Sequence, residues 1–197
     1  MKHHFFSKSA LGLAVAICTS HAALASTITF DGLPGTTADP FNSYSESGFT
    51  VAVTLGNWKE GHSFGAPLPS IYVQDLRSSP FGGLQVTNGG LFTFDSFDLS
   101  AYMSAVGYEV QGWLGTTSVF DVASNQTAGA AFTTVSGGSS LAIDRLTIDI
   151  SSGGSGEFNV DNIRVSAVSA VPEPSTYGLM MLGFGFIGAI ARHRQRG

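Results

Sequence analysis

The sequence is poor in the residues that most site chemistry requires. It has one cysteine, Cys18, and between residues 26 and 171 one histidine, His62. A zinc centre draws three or four ligands mainly from His and Cys, so that stretch cannot build one. A Ser-His-Asp set would rest entirely on His62. A lone cysteine leaves no internal disulfide, so stability must come from packing or a bound ion. Basic residues are scarce as well. Residues 26–171 hold Lys59, Arg77, Arg145 and Arg164 against 13 acids, a net charge of about −9. Nucleic acids and anionic membrane surfaces need a basic face, so neither is an expected partner. Helical periodicity is also missing from this stretch, which argues against a helical bundle.

Long apolar runs occur only at the two ends. Residues 1–25 combine Lys2 and Lys8, an apolar core from Ala10 to Ile17, and Ala23-Leu24-Ala25. This is the pattern of a secretory signal peptide, with cleavage expected between Ala25 and Ser26. Cys18 would leave with it. Ile17 in front of Cys18 does not fit a lipoprotein site, where a small residue is needed. Signal peptidase and the secretion machinery are the implied partners.

The other end has three parts in order. Val171-Pro172-Glu173-Pro174-Ser175 opens it, a run without charge continues to Ala191, and Arg192, Arg194 and Arg196 close it. The 17 residues from Ser175 to Ala191 would span about 25 Å as a helix, the short end of what a bilayer core requires. Pro172 and Pro174 suit the start of a helix rather than its interior. The arginines would stay on the cytoplasmic side and leave the preceding domain outside. Gly183, Gly185 and Gly188 spell G-x-G-x-x-G, but no βαβ unit can follow so close to the C-terminus, and the nucleotide reading is rejected.

This ending resembles the PEP-CTERM sorting signal of Gram-negative bacteria. The resemblance implies recognition by an exosortase, a membrane protease-transpeptidase that cuts near Pro172-Glu173-Pro174. It implies transient residence in the inner membrane, then the cell surface or an extracellular, exopolysaccharide-rich biofilm matrix. The plain alternative is a tail-anchored periplasmic protein.

Between the ends, short alternating apolar segments are separated by Gly, Ser, Asn and Pro. They cover 27–30, 49–55, 91–94, 97–99, 105–114, 118–122, 130–135, 141–150 and 158–168. The pattern predicts an all-β domain over 26–170, an antiparallel β-sandwich, flanked by a signal-peptide helix and a transmembrane helix in the segment 171–197. Asn88-Gly89-Gly90 and Gly137-Gly138-Ser139-Ser140 read as turns. Residues 57–80 read as loops around one short strand, 71–73. Two strands break phase, at Asp95-Ser96 and at Asp161-Asn162, and each break predicts a β-bulge or bend. The segments Ile28–Pro34, Ser96–Leu99 and Phe158–Val165 resemble exported galactose-binding-like jelly rolls found in front of such tails.

Three chemistries remain open to the domain. Calcium takes oxygen ligands, which Asp31, Asp95, Asp98, Asp161 and Asn162 offer at strand ends or bends. The same residues commonly cap turns through their own backbone, and that is the favoured reading. Sugar binding uses exposed aromatic rings, and Trp58, between Gly56 and Gly61, is the candidate loop platform, although a tryptophan in a sandwich is more often core; Trp113 is expected to be half-buried. Hydrolysis of a glycan needs only two carboxylates. Thirteen scattered acids single out no pair, and Glu46, Glu60, Glu109 and Glu157 are expected to be solvated. No catalytic residue is therefore assigned. Ice binding is not expected, because Thr116-Thr117 and Thr133-Thr134 form no repeating ladder. The sequence describes a secreted, non-catalytic sandwich with a structural or adhesive role and polysaccharide as its expected contact.

Overall fold

The computed structural model describes residues 24–63, 68–168, and in the tail 178, 180–185, 187 and 192. Twelve strands run in chain order: β1 Leu24–Ile28, β2 Ser43–Glu46, β3 Phe49–Leu55, β4 Trp58–Gly61, β5 Ser70–Asp75, β6 Phe81–Thr87, β7 Phe92–Tyr102, β8 Val106–Leu114, β9 Thr117–Gln126, β10 Gly129–Ile143, β11 Arg145–Ser152 and β12 Gly156–Ala167. They form two six-stranded sheets. The first runs β10-β7-β12-β5-β4, with β1 also on β12, and the second β2-β3-β6-β11-β8-β9. Every pair within them is antiparallel. The antiparallel sandwich read from the alternating segments is the observed architecture.

Alternation puts one face of each sheet in the core. Phe94, Phe97, Leu99, Phe158, Val160, Ile163 and Val165 of the first sheet, with Val51, Leu84, Val86, Val110, Leu146 and Ile148 of the second, are all buried. Aromatic rings join the layers edge to face, as Phe49 does with Phe92 and Phe97 with Tyr108. Burial of this many large side chains supplies the stabilisation that a disulfide might have given.

Both predicted phase breaks are bulges, and they lie on one ladder. Asp161 faces Asp98 and Arg164 faces Ser96, so β12 takes three steps while β7 takes two. Val165 then faces Phe94, so β7 takes two steps while β12 takes one. The extra residues on the two strands cancel, and register resumes. Asn162 meets the bend in the left-handed region, at φ 47°, a conformation that Asn tolerates better than most residues.

Several sequence expectations are corrected. Residues 57–80 contain β4 as well as the expected short strand at 71–73, which extends over Ser70–Asp75 as β5. Ser70, Ile71, Tyr72 and Val73 of β5 are buried in succession, so the segment shows no alternation to read. β4 and β2 are short and rich in polar residues. The Gly137–Ser140 stretch lies within β10, which absorbs it through irregular register against β7. Residues 141–150 divide at Asp144 between β10 and β11. The Asn88–Gly90 turn is present, with Gly89 at φ 71° and the Asn88 side chain accepting from the Gly90 amide at 2.9 Å.

The expected signal-peptide helix lies outside the described residues, although Leu24 and Ala25 pair with Ala167 and Ser166 in β1. The described tail positions are helical. Among the described residues no helix is long and apolar enough to cross a membrane.

Candidate functional site

Trp58 is not an exposed platform. Its side chain is 1% exposed and stacks edge to face on Phe158, with ring centroids 5.6 Å apart. Its Nε1–H donates to the Leu55 carbonyl at 3.0 Å. The position follows from β4 being a strand: Trp58 faces Val73 across the ladder and therefore points into the sandwich. Trp113 is half-buried, as expected.

Of the Asp and Asn residues proposed as calcium ligands, Asp98 faces Asp161 where β7 pairs with β12, next to Asn162, and Asp31 is near enough to act on Asp161. Arg164 grips Asp98 with two bonds, Nη1 to Oδ1 at 2.9 Å and Nη2 to Oδ2 at 3.0 Å, and Thr134 donates to the same carboxylate at 2.7 Å. Burial works against ionisation of Asp98, but these donors outweigh it and hold its carboxyl below the usual range. Asp161 accepts from the Asn162 amide at 2.7 Å. Burial pushes its carboxyl up to about 7, against that bond, and the nearby charges of Asp98 and Asp31 add to the rise. Asp95 lines a hollow of about 450 Å³ together with Ala25, Ser26 and Arg164. Among the described residues no three of His, Cys, Asp and Glu form a group suited to a metal.

Glu60 and Glu157 are buried rather than solvated. Glu60 accepts from the Gly35 amide at 3.0 Å and pairs with His62 at 2.9 Å, which ties the loop after β1 to β4. Burial raises the Glu157 carboxyl, although Gln74 donates to it at 2.7 Å. Glu46 is also engaged, accepting from the Thr29 amide at 2.7 Å.

The concave feature that sequence reasoning missed lies on the outer face of the second sheet. The registers place Leu55, Gly83, Asp149, Glu109 and Ala123 side by side across β3, β6, β11, β8 and β9. The adjacent rung carries Phe81, Ser151, Gly107 and Asn125. Small residues along both rungs leave a groove of about 510 Å³ over the strands. Phe81 and Leu55 at its rim are 53% and 51% exposed, so two apolar side chains stand open beside polar ones.

The groove floor depends on glycine. A Cβ at Gly83 would lie 2.5 Å from Asp149 Oδ1 and 2.6 Å from Thr54 Oγ1. On the inner side, a Cβ at Gly82 would lie 2.7 Å from the Trp58 ring. Trp58 thus supports the rim from below, holding the Leu55 carbonyl and packing against the residue after Phe81. Desolvation raises the Asp149 carboxyl. Glu109 accepts from Gln111 Nε2 at 2.6 Å, and Gln111 also donates to Asp121 at 3.0 Å. Farther along the face, the Arg145 guanidinium lies 5.0 Å from the centre of the Trp113 ring. No local motif announces this groove, because its residues come from five strands.

The tail is settled by a family model. Residues 170–195 match the PEP-CTERM protein-sorting motif. The chain carries a PEP-CTERM signal. This motif indicates an exported protein sorted and processed by an exosortase. No curated protein matches the chain.

Solved structures similar to this chain include a family 29 carbohydrate-binding module from Piromyces equi, at 14% identity and TM-score 0.42, covering 80% of this chain and 99% of that one. A family 11 carbohydrate-binding module from Clostridium thermocellum, in complex with a β-1,3-1,4-mixed-linked tetrasaccharide, matches at 17% identity and TM-score 0.42, covering 78% and 100%. The enzymatically active domain of bacteriophage CBA120 tailspike protein 4 matches at 12% identity and TM-score 0.42, covering 61% of this chain. This chain spans 20% of that tailspike chain.

Proposed function

We propose that this protein is a non-catalytic component of the cell surface or extracellular matrix, and that its sandwich binds polysaccharide in the groove over β6, β11, β8 and β9. The observation that carries this reading is the exposed Phe81 ring beside a trough of hydroxyl, amide and carboxylate groups. A sugar presents C–H groups on its ring faces and hydroxyls around its edge. Phe81 and Leu55 suit the first, and Ser151, Asn125, Glu109 and Asp149 suit the second. In this account the signal peptide delivers the chain across the inner membrane, the tail holds it there, and an exosortase releases it near Pro172-Glu173-Pro174.

The test is retention of the processed protein, purified from its producing cells, on those cells' own extracellular polysaccharide. Wild type is expected to be retained with calcium and with chelator alike, and Phe81→Ala to be retained at least fivefold less. Failure of the wild type to bind in either condition overturns the polysaccharide reading.

A second reading rests on Glu109 facing Asp149 across adjacent strands. Two carboxylates flanking a bound glycan are the minimum for hydrolysis. Release of reducing ends from the retained polymer, lost in Glu109→Gln, would make the protein a hydrolase; retention without turnover supports a binder.

A further inference from the structure

The charge of the groove selects among polysaccharides. Glu109 and Asp149 are direct cross-strand neighbours, and both are exposed into the groove. Like charges in that relation repel. Among the described residues no basic side chain lines the groove to offset them. Arg145 is the basic residue on the neighbouring rungs of this face. It lies four residues along β11 from Asp149, about 13 Å away, with its guanidinium against Trp113. Asp121, on the rung beside Glu109, adds a third acid. Gln111 bridges Glu109 and Asp121, whereas desolvation alone shifts Asp149.

A uronate or sulfate polymer would place its own negative charges against these acids at close range, which costs energy in a partly desolvated trough. A neutral glycan would leave the acids uncompensated. A divalent ion is poorly served, because no three of the acids gather into one coordination group among the described residues. A ligand that carries its positive charge on a sugar ring satisfies both halves of the groove at once.

Building on the polysaccharide reading, we propose that the groove takes a polysaccharide bearing free amino groups, with an ammonium between Glu109 and Asp149 and a ring face on Phe81. Ammonium–carboxylate hydrogen bonds are stronger than neutral ones. The preference therefore depends on the charge of the nitrogen rather than on sugar shape. N-acetylation removes that charge and keeps the polymer backbone.

The experiment measures retention of the processed protein on the producing cells' own polysaccharide, before and after complete chemical N-acetylation. Wild type is expected to lose at least tenfold in affinity on acetylation. The double variant Glu109→Gln with Asp149→Asn is expected to bind both forms alike, at the level of wild type on the acetylated polymer. Asp31→Asn with Asp95→Asn removes the same charge away from the groove and is expected to keep the tenfold difference, which separates the site from the general acidity of the domain.

Equal wild-type binding to both polymers overturns the amine assignment and leaves polysaccharide binding standing. No binding to either removes both readings. Equally tight retention on polylysine beads would show a site for any cationic chain and would also overturn the assignment.

Discussion

Arg164 and Asp98 form a two-bonded ion pair, at 2.9 and 3.0 Å, across two bulges that cancel each other. Had neither strand carried its extra residue, the ladder would run without the bend that the pair spans. Arg164 also donates to Ser96 at 3.3 Å, so its fork reaches both residues that flank Phe97 on β7. Arg164→Lys replaces the planar fork with a point charge and cannot reproduce both parallel bonds. It is expected to cost about 1 kcal/mol in equilibrium urea unfolding, and Arg164→Ala, which leaves Asp98 unpaired, about 2 kcal/mol. Equal stability of all three proteins would show that the pair is not a structural clamp.

Asp161 gives the domain a pH dependence whose sign is fixed. Its carboxyl is raised from 3.8 to about 7 in the folded state. Between these values the folded chain holds a proton that the unfolded chain has released, so stability falls as pH rises from about 4 to about 7 and then levels off. Asp161→Asn keeps a side-chain oxygen for the Asn162 amide and removes the titration. The variant is expected to match wild type near pH 4 and to exceed it at pH 8, with urea midpoints at the two pH values as the readout. A difference between the two proteins that does not change with pH would contradict this.

Gly82 is expected to be intolerant of any side chain. Its missing Cβ leaves room for the indole of Trp58, which is boxed in by Phe158 and by its bond to Leu55. Gly82→Ala should cost about 1–3 kcal/mol through overpacking and shift the tryptophan emission. Trp58→Ala should cost about 3–5 kcal/mol. Both variants are expected to lose polysaccharide retention together with stability, whereas Phe81→Ala should lose retention alone.

The tail can be tested apart from the domain. Pro172→Ala with Pro174→Ala alters the Pro-Glu-Pro sequence while leaving the sandwich untouched. The variant is expected to keep its C-terminal segment, measured as the intact mass of the membrane-bound protein, while wild type loses it. Identical masses would favour a plain tail anchor.

What the sequence disclosed depended on how locally each feature is encoded. The sorting signal is contiguous, and its three parts could be read from residues 171–197 directly. The sandwich followed from alternation, and the bulges from breaks in that alternation at Asp95 and Asp161. β5 was legible only as the short strand 71–73, because a strand buried on both faces does not alternate. Trp58 misled because a charged, glycine-flanked segment looks like a loop, and only its pairing with β5 turns the ring inward. The groove could not be read at all. Leu55, Gly83, Asp149 and Glu109 are neighbours only through register, and no spacing along the chain records it.

The position of β12 bears on how the protein would carry mechanical load. The tail leaves from its end, and the strand is hydrogen-bonded to β7 on one side and to β5 and β1 on the other. Tension on the tail, opposed by a polymer held on the second sheet, would draw β12 lengthwise against three partners. Its rungs would then be sheared together instead of peeled one after another, and the pull would reach the ligand through the packed interior. The groove and the strand that leads to the tail belong to opposite layers, so under the proposed function the packed interior would couple a membrane-held tail to the bound polymer until the exosortase releases it.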